Sequence, residues 1–165
     1  MSQSKRIILA VGLIIVLIGV VLGLESLRAK IIAKEQDVSL NPGDVPVYKD
    51  GELLAAINSA DLADLQMVQF TDAEQGKVQE GWLIMDIMDK YFKAKLFPDS
   101  LQLVFSSSSR DKSIALTWDE IADPENMVMF DLSGRGTLKL VSKLEKLDVR
   151  DEWIQDVDRI EIIEP

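Results

Sequence analysis

An unbroken apolar run near the N-terminus constrains this chain more than any other feature. Residues 7–24 read IILAVGLIIVLIGVVLGL, with no polar side chain. As a helix they extend about 27 Å, close to the hydrocarbon core of a bilayer. A buried soluble helix would need a polar face, and a cleavable signal peptide usually has a shorter apolar region. The run therefore predicts a retained transmembrane anchor in contact with the lipid bilayer.

The anchor divides the chain into four predicted segments. Residues 1–6 form a short basic N-terminus, residues 7–24 the anchor, residues 25–43 a juxtamembrane helix and linker, and residues 44–165 a folded domain. Basic residues lie on both sides of the span, so charge alone leaves both topologies open. A short basic N-terminus before a span is typical of a signal anchor. We therefore expect a single-pass cell-membrane protein with an extracytoplasmic, periplasmic-side domain.

The two parts of the chain carry opposite charge. Residues 1–34 hold five basic side chains and one acidic one, a net charge of +4. Because the whole chain carries −10, residues 35–165 carry −14. A strongly acidic domain repels phosphate backbones, so nucleic acid is not an expected partner.

The chain contains no cysteine and no histidine. This composition excludes thiolate nucleophiles, Cys/His zinc sites and Ser-His-Asp triads. We therefore expect no cofactor and no enzymatic activity. The missing disulfides do not indicate a compartment, because exported bacterial domains often fold without them.

Hydrophobic patterning predicts an α+β domain with a mixed β-sheet and a few short helices. Asp50-Gly51 between two apolar runs indicates a hairpin, and 41-NPGD-44 indicates a turn before the domain. Further apolar runs have strand character. The predicted strands are residues 45–48, 52–57, 67–71, 101–105, 113–116, 127–132, 138–141 and 157–163.

Three helices are predicted between these strands. Ser59 can cap a short helix that ends at Leu65. Apolar residues recur at helical spacing over residues 82–92, after a polar loop at residues 72–80. A capping box at residues 117–120, TWDE, starts a short helix that ends before Pro124.

The ordered series of motifs from residue 81 onward resembles the small, single-domain version of the sulfite-oxidase-type molybdopterin-binding domain. The series comprises GWLIMDIMDKYF, then LQLVFSSSSRDKSIALTWDEI, then NMVMFDLSGRGTLKLVS, and finally DEWIQDVDRIEI. The resemblance implies that family's fold. It is also the only feature that suggests molybdopterin as a cofactor. Catalytic members bind molybdenum through a cysteine thiolate, which this chain lacks, so the departure argues against the family's reaction.

Two loops are candidate anion sites. The first contains Ser106, Ser107, Ser108, Ser109, Arg110 and Lys112, whose hydroxyls, backbone N–H groups and cations can converge on an oxyanion. The second contains Arg135 within Ser-Gly-Arg-Gly. The alternative interpretations are a solvated connection between strands for the first loop and a simple glycine turn for the second.

The acidic residues at 86 and 89 and at 148–152 match no ordered calcium pattern. The three tryptophans most simply fill the core.

Two functional hypotheses follow. The first is a membrane-anchored, non-catalytic accessory or docking subunit of a membrane protein complex, such as an electron-transfer complex. The alternative is an extracytoplasmic ligand-binding module for an anion, a pterin or a small metabolite. Because folds host many functions, the resemblance alone cannot decide between them.

Overall fold

A computed structural model describes residues 40–164. The predicted N-terminus at residues 1–6, the predicted anchor at residues 7–24 and most of the linker at residues 25–43 lie outside the described residues. Among those that are described, no helix is both long and apolar enough to cross a membrane. Asn41 and Asp44 close the predicted turn, because the Asp44 amide donates to the Asn41 carbonyl oxygen at 3.1 Å.

Nine strands and two short α-helices make up the described domain. The strands are β1 (Val45–Lys49), β2 (Glu52–Ile57), β3 (Val68–Thr71), β4 (Val78–Leu83), β5 (Gln102–Ser107), β6 (Lys112–Thr117), β7 (Met129–Leu132), β8 (Leu138–Val141) and β9 (Arg159–Ile163). The helices are α1 (Ile84–Tyr91) and α2 (Trp118–Ala122). Short 3-10 helices occur at Asp61–Asp64, Ala94–Leu96, Pro124–Asn126 and Glu145–Leu147.

The strands form two sheets. The first sheet has the order β2-β1-β9-β5-β6, and the second has the order β3-β4-β7-β8. In the first sheet β1 and β9 run parallel, whereas the second sheet is antiparallel throughout. The predicted α+β class is confirmed, but the strands divide into one mixed and one antiparallel sheet.

One hydrophobic core joins the two sheets. Phe105 of β5 meets Phe130 of β7 edge to face, with ring centroids 5.9 Å apart, an arrangement that aromatic pairs favour. Helix α1 adds Ile84, Ile87 and Met88, all fully buried. Met129 faces away from this core because strand side chains alternate. It forms a second, smaller apolar cluster with Val141 and Trp153.

Two local predictions are confirmed. Asp50 and Gly51 both have positive φ, at 52° and 82°, as expected for the tight turn of the β1–β2 hairpin. At the start of α2, the Glu120 amide donates to Thr117 Oγ1 at 3.3 Å, and the Thr117 amide donates to Glu120 Oε2 at 2.9 Å. These reciprocal bonds constitute the predicted capping box.

Residues 72–80 and 82–92 differ from their predictions. The predicted polar loop contains the start of β4, which pairs Val78 with Thr71. The predicted helix begins only at Ile84, because Trp82 and Leu83 pair with β7. The polar residues of this strand are stabilised by partners from other elements: Lys139 donates to Gln79 Oε1 at 3.0 Å. Periodicity along one segment could not reveal such partners.

The short helix predicted between Ser59 and Leu65 is present only as a shorter 3-10 helix, and its predicted cap is wrong. The chain forms a 3-10 turn at Asp61–Asp64, and Ser59 makes no side-chain cap. Asn58 acts instead, since its Oδ1 accepts from the Ala60 amide at 2.8 Å. Asparagine readily bonds the backbone two residues ahead, which favours a tight turn.

Two predicted strands begin later than expected. Met127 has a φ of 48°, and β7 begins after it, at Met129. Strand geometry requires negative φ, so Met127 cannot start the strand predicted at residues 127–132. The strand predicted at residues 157–163 follows left-handed Asp156, which has a φ of 57°, and β9 begins at Arg159.

Candidate functional site

A cavity of about 310 Å³ opens between the β5–β6 turn, the β7–β8 turn and the segment that precedes β9. We call it the cationic cleft. Its walls are formed by Arg110, Ser133, Gly134, Arg135, Lys139, Arg150, Trp153 and Gln155. Four of these side chains are cationic, and within the described part of the chain none of the lining residues is acidic. This is unexpected, because residues 35–165 carry a net charge of −14.

Two smaller cavities adjoin the cationic cleft. One, of about 180 Å³, adds Lys112 and Asp151, and the other, of about 250 Å³, adds Asp72 and Lys77 among its walls. Arg150 and Trp153 line all three cavities. The three cavities therefore share these two side chains in their walls.

Asp156 ties the two turns of the cationic cleft together. Arg110 Nε donates to Asp156 Oδ2 at 2.9 Å, and Arg135 Nη2 donates to both carboxylate oxygens at 2.9 and 2.7 Å. Thr137 Oγ1 donates to Oδ1 at 2.6 Å. Aspartate tolerates the left-handed backbone that points its carboxylate to both turns. One carboxylate therefore positions two guanidinium groups.

The same contacts favour the ionised form of Asp156. The hydrogen bond from Thr137 lowers the pKa of this carboxyl below its usual range, and the bonds from Arg110 and Arg135 lower it further against the opposing effect of burial. Asp156 therefore stays negative at neutral pH and balances one of the two guanidinium charges.

Lys139 forms the floor of the cationic cleft with Trp153. Its ammonium group lies 2.7 Å from an Asp131 carboxylate oxygen and 4.7 Å from the Trp153 ring centroid. Trp153 is buried, and its Nε1 donates to the Leu147 carbonyl oxygen at 3.0 Å. A cation over an indole ring is favourable. These contacts hold Lys139 and Trp153 in place at the wall of the cleft.

Arg150 differs from the other cations of the cationic cleft. Its backbone amide donates to Glu74 Oε2 at 3.0 Å, which holds its segment against the β3–β4 hairpin. Within residues 40–164, its guanidinium group has no acidic oxygen within 4.0 Å. With respect to residues 40–164, the donors of this side chain are therefore available to an external anion.

The structure brings together three of the residues that the sequence singled out. Arg110 and Arg135 line the cationic cleft, and Lys112 lines the adjoining cavity and donates to the Asp151 carbonyl oxygen. A guanidinium group binds oxyanions through two parallel hydrogen bonds. The assembled cations can therefore bind an anion.

The four serines contribute much less than expected. None of them lines the three cavities: Ser106 and Ser107 belong to β5, and Ser108 and Ser109 to the turn. Ser107 is fully buried with its hydroxyl 3.3 Å from that of Ser109. The Ser108 amide donates to Asp158. The loop thus presents its cations to the cleft rather than its hydroxyls.

Lys139, Arg150, Trp153 and Asp156 were not singled out as site residues. They lie far from the serine loop in sequence, and strand pairing brings them beside it. For Lys139 and Arg150 the one visible signal was positive charge, because few cations occur in so acidic a domain. All three tryptophans are buried, as expected for core residues.

The acidic candidates do not gather into a metal-binding group. Among residues 40–164, no cluster of three or more Asp, Glu, His or Cys side chains has a suitable arrangement. Lys95 instead pairs with Asp89 at 3.7 Å.

Compared with protein-family models and with curated proteins, the chain gives no match.

Proposed function

We propose that this chain is a membrane-tethered, non-catalytic module that binds a small anionic ligand in the cationic cleft. The observation that carries this proposal is the convergence of four cations on one cavity of about 310 Å³. Ligand sites are typically concave, and their volumes begin near this size. The ligand-binding hypothesis therefore has more support than the docking hypothesis.

The apolar run at residues 7–24 supports the tether. With a single-pass anchor and an extracytoplasmic domain, the cleft would meet ligands on the periplasmic side of the cell membrane. Reporter fusions on either side of residues 7–24 test this topology, and a cytoplasmic signal from the C-terminal fusion would reject it.

The sulfite-oxidase-like fold remains part of the proposal. Its support is the order of motifs from residue 81, together with a two-sheet α+β domain. The side chains of the cationic cleft do not fit the metal of that family, because they offer guanidinium and ammonium donors and the chain has no cysteine.

Thermal unfolding tests the proposed function. The full-length protein, purified in mild detergent, is heated with phosphate, sulfate and carboxylate anions while tryptophan fluorescence is recorded. A ligand that binds the native state raises the unfolding temperature. We expect stabilisation by at least one anion class, and its loss in the Arg110→Gln/Arg135→Gln variant.

Lys95→Gln is the matched control. It removes one positive charge outside the cleft walls, so it should respond to anions like the unmodified protein. If no anion stabilises the protein, or if both variants respond alike, the anion-binding function is rejected.

The docking subunit is the second candidate. Leu96 is 77% exposed and Val78 is 61% exposed, so these two apolar side chains are accessible to a partner protein. Purification from native membranes in mild detergent, followed by mass spectrometry, tests this role. Stoichiometric partners would support it, whereas a lone monomer would reject it.

A further inference from the structure

The cations of the cationic cleft differ in how far acidic side chains neutralise them. Lys139 is paired with Asp131 at 2.7 Å, so this cation is already neutralised. Arg110 and Arg135 share the single negative charge of Asp156, which leaves one positive charge at this pair. The Arg150 guanidinium has no ion pair among residues 40–164. Two separate positions around one cavity therefore carry excess positive charge.

These two positions belong to different elements. The Arg110–Arg135 pair lies where the β5–β6 and β7–β8 turns meet, whereas Arg150 lies on the segment before β9 and borders all three cavities. Glu74 accepts from the Arg150 backbone amide and weakens the positive field there, but its carboxylate does not pair with the guanidinium group. The cleft thus offers two anchor points for anions.

Donor geometry favours phosphate oxygens at the first anchor. A guanidinium group carries five N–H donors. Arg110 uses its Nε for Asp156, and Arg135 uses one Nη. Several N–H donors on these two converging side chains therefore remain available. Their number exceeds what a single carboxylate can accept, and it suits a phosphate group with three terminal oxygens.

We propose that the cationic cleft recognises a soluble small molecule with two linked anionic groups, of the diphosphate class. One group binds at Arg110 and Arg135, and the other binds at Arg150. This inference rests on the proposed anion-binding function and specifies its ligand class. A single orthophosphate fills only one of the two anchors.

Isothermal titration calorimetry tests the ligand class. The full-length protein in mild detergent is titrated with orthophosphate and with diphosphate at about 0.15 M salt, where exposed charges are well screened. A second charge-assisted contact should make diphosphate bind about tenfold more tightly than orthophosphate. Arg150→Gln should reduce this preference to less than about threefold while orthophosphate still binds.

Lys95→Gln should retain the full preference, because Lys95 lies outside the cleft walls. Equal affinity for the two probes in the unmodified protein would overturn the two-anchor inference and leave anion binding intact. A preference that persists in Arg150→Gln would also overturn it. If neither probe binds, nor any anion in the thermal screen, the proposed function itself fails.

Discussion

At the scale of single residues, Gly81 sets the separation of two strands. A Cβ atom at this position would lie 1.9 Å from the carbonyl oxygen of Phe130 and 2.7 Å from the carbonyl carbon of Phe130. Both are backbone atoms of β7, the strand that pairs with β4. They cannot withdraw unless the pairing of the second sheet changes. The close approach therefore requires glycine.

Gly81→Ala should reduce the free energy of unfolding by about 3 kcal/mol, the upper part of the range for overpacked sites. Gly134→Ala is the control, because a Cβ there meets nothing within 4 Å. Its effect should stay within about 0.5 kcal/mol. Urea denaturation measures both, and equal stability of the two variants would contradict the steric argument.

Asp156 should make stability depend on acidic pH. Its folded pKa is lowered, first by the Thr137 hydrogen bond and then by the two arginines. The unfolded chain then binds the proton more readily, so the carboxylate stabilises the fold at pH values above about 3.9, the usual pKa. This contribution is lost as the pH falls through the folded pKa.

Asp156→Asn should therefore be less stable than the unmodified protein at neutral pH, and the difference should shrink below about pH 4. Asparagine also tolerates left-handed backbone. Asp111→Asn, at another left-handed position with a φ of 51°, controls for the backbone. Chemical denaturation across pH measures the difference, and a gap that stays constant would contradict the linkage.

At the scale of elements, local rules account for what the sequence could predict. The Asp50-Gly51 turn and the capping box at Thr117 depend only on neighbouring residues, and both occur. The start of β4 depends on its pairing with β3, and the end of β4 depends on its pairing with β7. The same distinction applies to the cationic cleft. Local sequence predicted Arg110 and Arg135 as site residues, whereas only the tertiary structure places Arg150 beside them.

Removal of the capping hydroxyl should destabilise α2. Thr117→Ala leaves the Glu120 amide without its side-chain acceptor, which typically costs about 1 kcal/mol. Thr117→Ser keeps an acceptor and should recover most of the loss. Urea denaturation compares the two, and equal stability of both variants would show that the hydroxyl is not needed.

At the scale of the whole molecule, β9 joins distant parts of the first sheet. It lies between β1 and β5, and Ile160 and Ile162 contribute to the core. It also follows the segment that carries Arg150, Trp153 and Asp156. Sheet closure and formation of the cleft are therefore coupled.

A chain that ends at Asp158 should lose cooperative unfolding, because β1 and β5 would both lack their central partner. A chain that ends at Ile163 keeps β9 and should unfold cooperatively. Circular dichroism during heating distinguishes the two, and a sharp transition in the shorter chain would contradict the role of β9.

The parallel pairing of β1 with β9 also bears on how the protein is made. Val47 of β1 pairs with Ile160 of β9. The edge of β1 that faces β9 therefore stays unpaired until almost all of the described domain has been synthesised. Contacts between residues so distant in sequence form slowly. A nascent chain stalled on the ribosome before β9 emerges would therefore expose the edge of β1, and we expect chaperones to bind it at this stage.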